Sequence, residues 1–493
     1  VEARVSDHHE EEVEMSTDAT RRTPSVASIP MLMFALLVAV FAFQLNASML
    51  SPALATMERE LHTTSAQIGL TQTAFFASAA LFSLFLPRWG DLVGRKRIML
   101  LMLGATGVGC IVSALAPNVA VLAVGRIIQG VAGPVVPMAL IMLHVQVPDN
   151  ARYARLMAVI TAVNGGIAGI DALAGGWLAG NFGFRSVFWT MAVICGIGLV
   201  GILLGTVDSR SEDSVPMDWV GVLFLAIVLG SLYVAFDQAG KLGDANWALV
   251  IGLVVLGAVA FVAFWNVEKR RANPLVTTTY MRERRTWALL LTTLLTMTGV
   301  FAIMNGLIPN LAQDTTAGPG MSASAVSWWT LTPYAIAGLV MGPLAGFLAS
   351  QFGYKRVLRV GLVLTVLGLL FAGFVARSPS AILLLVVSIA VGITYAGICN
   401  IMLNGLGIVL SPPDNQGYLP GMNAGAFNLG SGLSFAILFA VNTAFAALGG
   451  PSLGYQAGIF AGAILLVLAL FASLLIPAPP EHAGEDIKEK ESV

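Results

Sequence analysis

Apolar runs about 20 residues long, broken by short polar stretches, repeat along nearly the whole chain, and that is the length a helix needs to cross ~30 Å of hydrocarbon. The runs and their breakers predict fourteen transmembrane helices, near 31–55, 65–88, 97–116, 119–146, 155–180, 185–206, 217–238, 246–267, 286–312, 323–350, 356–376, 380–410, 418–448 and 453–476. Strands of alternating polarity, the signature of a membrane barrel, are not seen. The fold class expected is an all-α polytopic membrane protein.

Charge placement orients the helices. Loops that follow even-numbered spans carry sixteen Lys and Arg residues, among them Arg88, Arg95, Lys96, Arg97, Arg210, Arg271, Lys355, Arg356 and Arg359, against four on the opposite side (Arg59, Arg185, Lys241 and Arg377). By the positive-inside rule this bias puts both termini in the cytoplasm of a bacterial-type inner membrane. The basic stretch 269–285 reads either as a topogenic linker or as an interfacial segment on anionic lipid.

Composition agrees with the lipid reading, at 57% hydrophobic and 11% charged residues, and the net charge of −1 gives no reason to expect nucleic acid. Cys110, Cys195 and Cys399 lie within apolar runs and suggest neither a disulfide framework nor a metal site. The polar, acidic leader 1–30 and the tail 477–493 are expected to be disordered, without a cleavable signal peptide, and Met15 is a conceivable alternative start. No P-loop, metal cluster or Ser/His/Asp constellation supports an enzyme or a cofactor.

An internal repeat organises the spans. Pro87-Arg88-Trp89-Gly90-Asp91-Leu92-Val93-Gly94-Arg95-Lys96-Arg97 follows the second span, and Gly346-Phe347-Leu348-Ala349-Ser350-Gln351-Phe352-Gly353-Tyr354-Lys355-Arg356 follows the tenth, with Gly94 aligned on Gly353. A turn glycine before a basic cluster at the same point of two halves marks parallel duplication of the kind that builds alternating-access carriers. The domains expected are six-helix bundles over 31–206 and 286–476, with two extra helices and a basic linker over 207–285 between them.

With this repeat the sequence resembles the major facilitator superfamily, and its fourteen spans resemble the drug:proton antiporter family within it. The resemblance implies that Asp91, Gly94, Arg95 and Arg97, with Gly353, Lys355 and Arg356 in the second copy, form a conformational latch, Asp91 facing a neighbouring helix N-terminus while the basic cluster grips the adjacent loop. Arg126-Ile127-Ile128-Gln129-Gly130 is similar to the family's intramembrane Arg motif, which implies a part in proton coupling. A lone intramembrane Arg is costly and usually functional, although near a helix end it can also snorkel.

Two stretches depart from the pattern. Asn46 stands where the first span of the family has a carboxylate, and Asp171-Ala172 replaces the Gly-Pro of the fifth-span antiporter signature. Asn46, Arg126 and Asp171 fall at one predicted depth, so the titratable site is expected to have moved to Asp171, beside Arg126. A static ion pair is the alternative. By resemblance a central cavity is lined by Asn46, Gln72, Phe76, Asn164, Asp171, Met304, Asn305, Tyr334, Tyr395, Asn400, Asn404 and Asn428. The function expected is proton-coupled export of small lipophilic compounds by a monomer in the bilayer. Proton-coupled import, or carriage of a lipid-like ligand, is the alternative that the lost Gly-Pro favours, and a non-transporting sensor stands behind both.

Overall fold

The computed structural model describes residues 28–147, 149, 152–153, 155–157, 159–160, 169–210, 216–241, 243, 245–271, 274–412, 415 and 417–477. Among these, thirteen helices are long and apolar enough to cross a membrane. They are α1 (Ile29–Glu60), α2 (Ser65–Val93), α3 (Arg95–Ala114), α4 (Val119–Gln146), α6 (Phe184–Gly205), α7 (Trp219–Ala239), α8 (Trp247–Glu268), α9 (Arg284–Gln313), α10 (Ala323–Phe352), α11 (Tyr354–Val375), α12 (Ala381–Val409), α13 (Tyr418–Gly449) and α14 (Pro451–Leu474). Between α4 and α6 lies α5 (Ile170–Phe182). The centre of the fifth expected span, 161–168 with Asn164, lies outside the described residues.

Several helices begin where the sequence offers a side-chain cap. Thr64, Asn118, Asn246 and Ser380 each accept the backbone N–H three residues on, satisfying a donor that has no partner within the helix. Where two helices meet without a loop, a glycine makes the turn. Gly94 (φ 126°) joins α2 to α3 and Gly353 (φ 81°) joins α10 to α11, while Gly183 (φ 78°) joins α5 to α6 and Gly450 (φ 87°) joins α13 to α14. A side chain is strained at positive φ. The duplication therefore shows twice in the backbone, and the pair Gly183 and Gly450 adds a second signature to the repeat read from the loops.

The N-terminal six helices pack on one another, as do α9 to α14, and α7 packs chiefly on α8. The halves meet along two seams. On the first, α2 lies against α13: Thr73 Oγ1 donates to the Gly432 carbonyl at 2.9 Å, and Gly69 approaches Phe439 so closely that a Cβ there would lie 2.9 Å from its side chain. On the second, α5 lies against α10. The extra hairpin α7–α8 leans on α2 through Trp219, whose ring stands edge-on to Phe85 and Trp89, and it presents Leu223, Ile251 and Val259 outward, as expected of a lipid face.

The C-terminal half contains a feature without counterpart in the described N-terminal residues. Ile303–Leu307 in α9, Ser327–Leu331 in α10 and Gly392–Cys399 in α12 are wide π-helical turns. Such turns displace side chains from the ordinary helical register and cluster at functional sites.

Candidate functional site

Among the described residues, buried charge is confined to the chain before α9. Among the described residues the buried charged side chains are Arg126, Asp171, Asp218 and Glu268.

Arg126 is fully buried in the N-terminal half, held by neutral oxygens from three helices. Both terminal nitrogens reach the Asn46 carbonyl of α1 at 3.2 Å, one donates to Gln72 Oε1 of α2 at 2.8 Å, and the other donates to Gln129 Oε1 one turn along α4. Its guanidinium lies 4.2 Å from the centre of the Phe75 ring, a cation–π contact that is strongest when desolvated. Gln129 is oriented in turn by donating to Ser113 Oγ of α3 at 2.8 Å. Asn46 spends its amide donor on Ala42 of its own helix and accepts from the Cys110 thiol, so it serves Arg126 through its backbone. Ser113 was missed in the sequence, and Gln129 was read only as part of the Arg motif, although the three-residue spacing of Arg126 and Gln129 places them on one face of α4.

Asp171 does not join Arg126, which corrects the sequence expectation. It lies against α1, where Ser48 Oγ donates to Asp171 Oδ2. Ser48, which holds Asp171, and Asn46, whose backbone carbonyl holds Arg126, are two positions apart on α1, and among the described residues no ion pair joins the carboxylate to the guanidinium. Asp171 Oδ1 is buried and has no side-chain or backbone hydrogen-bond partner among the described residues. The neighbouring face of α5 forms the second seam: Thr332, Ser327 and Ser324 of α10 donate their hydroxyls to the carbonyls of Gly169, Ala172 and Gly176 at 2.8, 2.7 and 3.2 Å. Gly175 brings α5 onto the Met49 carbonyl, where a Cβ would lie only 2.1 Å away. Asp171 thus sits where α5 bridges α1 of its own half and α10 of the other.

The rest of the expected cavity divides. Phe76 of α2 stands in an aromatic group with Phe301 of α9 and Phe435 of α13, 5.2 and 6.4 Å between ring centres, so both halves contribute. Asn428 is buried on α13, and Asn305 donates to the Phe301 carbonyl from within the α9 π-turn. Asn400 and Asn404 share a face of α12 as expected, bonded to each other at 3.0 Å, with Asn404 exposed. Tyr334 is half-buried. Met304 is buried in the α9 π-turn, and Tyr395 directs its hydroxyl to Met297 Sδ of α9 at 2.9 Å, inside the second bundle. The π-turns carrying both residues shift the register from which a lining position would be read. Gln72 Nε2 and both side-chain polar atoms of Asn310 are buried without partners, a free-energy cost that a ligand or a rearrangement would relieve.

The latch is also corrected in detail. Asp91 pairs with Arg95 of its own loop at 2.8 Å. The carboxylate at the α3 N-terminus is Asp208, beyond α6, which accepts the Lys96 backbone N–H and pairs with Arg97 at 3.5 Å. Lys96 Nζ reaches the Leu203 and Thr206 carbonyls, so the basic cluster grips the adjacent loop as expected. In the second copy Gly353 has open space around it, and Lys355 and Arg356 have no hydrogen-bond or ion-pair partner among the described residues. No carboxylate stands at Ser350, the position equivalent to Asp91.

Comparison with known proteins follows from this geometry. The family model described as Major Facilitator Superfamily matches residues 36–316 and 289–492. The "Uridine/deoxyuridine transporter" of Lactococcus lactis subsp. cremoris (strain MG1363) is 56% identical over 94% of this chain and 97% of its own length. The "Multidrug resistance protein Stp" of Mycobacterium tuberculosis (strain CDC 1551 / Oshkosh) is 25% identical over 82% of this chain and 74% of its own. Among solved structures, that of the nucleoside transporter NupG superposes with a TM-score of 0.61 at 15% identity, covering 90% of this chain and 99% of that one, which is a likeness of fold alone.

Proposed function

The chain belongs to the Major Facilitator Superfamily, and on that premise we propose that it takes up uridine-like pyrimidine nucleosides by alternating access, driven by protons. The observation that carries this reading is the 56% identity, across nearly the full length of both chains, to a uridine/deoxyuridine transporter. That likeness overturns the expectation of drug export, which rested on a family pattern whose fifth-span signature this sequence lacks. A nucleoside is neutral, flat at the base and rich in hydroxyls. Buried uncharged amides such as Asn305, Asn310 and Asn428, and the aromatic group of Phe76, Phe301 and Phe435, offer it hydrogen bonds and stacking without a fixed charge.

Asp171 is the proton carrier in this reading, with Arg126 as a fixed strut. A protonated Asp171 is neutral and can donate through one oxygen while Ser48 is held by the other. An ionised Asp171 leaves Oδ1 buried and bare, a cost that favours rehydration and separation of α5 from α1 or α10. Binding of a proton thereby biases the α5–α10 seam toward the closed arrangement.

The test is accumulation of labelled uridine in proteoliposomes under an imposed inward proton gradient. Wild type concentrates the label. Asp171→Asn loses gradient-driven accumulation, by about 100-fold in initial rate, yet still exchanges internal for external uridine. Gradient-driven uptake by the mutant at the wild-type rate excludes Asp171 as carrier, and failure of wild type to move uridine excludes the substrate.

A further inference from the structure

The remaining buried charges, Asp218 and Glu268, lie apart from the central site. Asp218 stands at the N-terminus of α7, where its Oδ1 accepts the Gly221 N–H at 3.0 Å. Glu268 ends α8, and its Oε2 accepts the Val276 N–H at 2.9 Å. Each keeps a second oxygen that is buried and unpartnered, Asp218 Oδ2 and Glu268 Oε1. Those two oxygens flank one spot: a Cβ at Gly221 would lie 2.4 Å from Glu268 Oε1 and 3.2 Å from Asp218 Oδ2. As two carboxylates they would set acceptor against acceptor, in surroundings where like charges a few ångströms apart are strongly unfavourable. One proton between them satisfies both oxygens.

The segment tied to this pair touches both halves of the carrier. Arg88 at the end of α2 donates to the carbonyls of Pro274 and Pro216, at 2.9 and 3.3 Å. Three residues beyond Pro274, the Thr277 carbonyl accepts from the Tyr418 hydroxyl at the start of α13, at 3.1 Å, and Tyr280 packs against the Tyr418 ring. Helices α2 and α13 form the first seam, so 274–283 straps together their ends on the basic side. Alternating access requires that seam to move at one end or the other.

We propose that Asp218 and Glu268 bind a single proton outside the transport path, and that this proton holds the strap 274–283 across the ends of α2 and α13. When it leaves, repulsion between the carboxylates opens the pair, Val276 loses its acceptor and the strap releases. Of the other charged or titratable groups, Arg271 of the linker faces the pair, its Nε 3.9 Å from Asp218 Oδ1, while Arg88 of α2 binds the carbonyls on either side of it and Tyr418 of α13, with Tyr280 and Glu283 of the strap beside it, lies toward Glu268. Arg271 favours the ionised form of Asp218, which leaves the proton to Glu268.

Hydrogen–deuterium exchange of the full-length protein in lipid nanodiscs tests this without reference to substrate. After correction for intrinsic chemistry, protection of the strap amides in wild type falls as pH rises, by up to about tenfold per pH unit above the midpoint. Glu268→Gln, whose amide donates permanently to Asp218, stays protected at every pH. Flat protection in wild type, or a Glu268→Gln profile that follows wild type, overturns the proposal. If Glu268→Gln does not fold, Asp218→Asn carries the same expectation. Infrared spectra of wild type add an independent reading: a protonated-carboxyl band must bleach across the same pH range, and its absence is equally decisive against the shared proton.

Discussion

The two halves share a fold and differ in how they handle polarity. The first encloses Arg126 and Asp171, whereas the second, among the described residues, buries amides and hydroxyls but no charge. Among the described residues, the second is also the half with π-turns, in α9, α10 and α12. Duplication fixes where helices turn, as Gly94 with Gly353 and Gly183 with Gly450 demonstrate, but it does not fix which side chains the copies retain. The first half buries charge, and the second presents neutral hydrogen-bonding groups from distorted helices. The function proposed above, a neutral solute moved by a cation gradient, would divide the labour between the halves in this way.

The largest test of that contrast sets matched buried networks against each other. Arg126 joins α1, α2 and α4; in the second half Asn423 of α13 accepts from Thr293 of α9 at 2.6 Å and donates to the Leu403 carbonyl of α12 at 3.3 Å. Arg126→Ala removes a buried cation and orphans three acceptors, so a loss of about 3 kcal/mol is expected. Asn423→Ala breaks two neutral bonds, for about 1 to 2 kcal/mol. Thermal unfolding in detergent ranks the two, and Arg126→Lys should recover little, since an ammonium cannot span the acceptors that the planar guanidinium reaches. Equal costs in the two halves would erase the distinction.

How much of this was legible in the sequence follows from the range of each interaction. Helix lengths, the loop repeat and the isolation of Arg126 are local properties, and thirteen of the expected spans are present among the described residues. The partner of Asp171 was not legible, because residues at one depth need not meet, and the facing of α1 depends on packing no single segment encodes. Asp208 was missed for the same reason: it lies 112 residues from the backbone N–H it accepts. The π-turns leave no period in the apolar pattern, so the register of the residues they carry, Met304 and Tyr395 among them, was not legible. Substrate identity was the least legible, because amides and aromatics serve many neutral ligands.

A smaller effect sharpens the comparison at the loop copies. Alanine at 94 would meet φ 126° and the Asp208 carboxylate 2.6 Å from its Cβ, while alanine at 353 meets φ 81° and open space. The strain term alone is about 1 kcal/mol, and the collision adds about as much again by dislodging the carboxylate from α3. Gly94→Ala should therefore lower stability by about 2 kcal/mol and Gly353→Ala by about 1 kcal/mol. In an Asp208→Ala background the first value should fall to the second, since there is nothing left to collide with. A cost at 94 that persists without Asp208 would locate the latch elsewhere.

The smallest effect concerns Asp314, an acidic residue of the second half placed in the loop after α9. Burial pushes its carboxyl up, but the Ala317 and Thr316 backbone N–H groups, the Thr316 hydroxyl and the Tyr455 hydroxyl outweigh that and hold it below the ordinary range. The Thr316 and Ala317 nitrogens lie 2.8 and 3.0 Å from Oδ1. A carboxylate lowered in the folded state binds fewer protons than in the unfolded chain, so its contribution is fully present above the unfolded value, about pH 4, and is lost as pH falls through the lower folded one. Asp314→Asn keeps one acceptor for the turn and removes the titration. Its melting temperature should match wild type below that window, lie slightly under it at neutral pH, and show a flatter acid limb. A mutant whose acid limb is as steep as wild type would assign the slope to other carboxylates and leave the second half without a charge that matters to its stability.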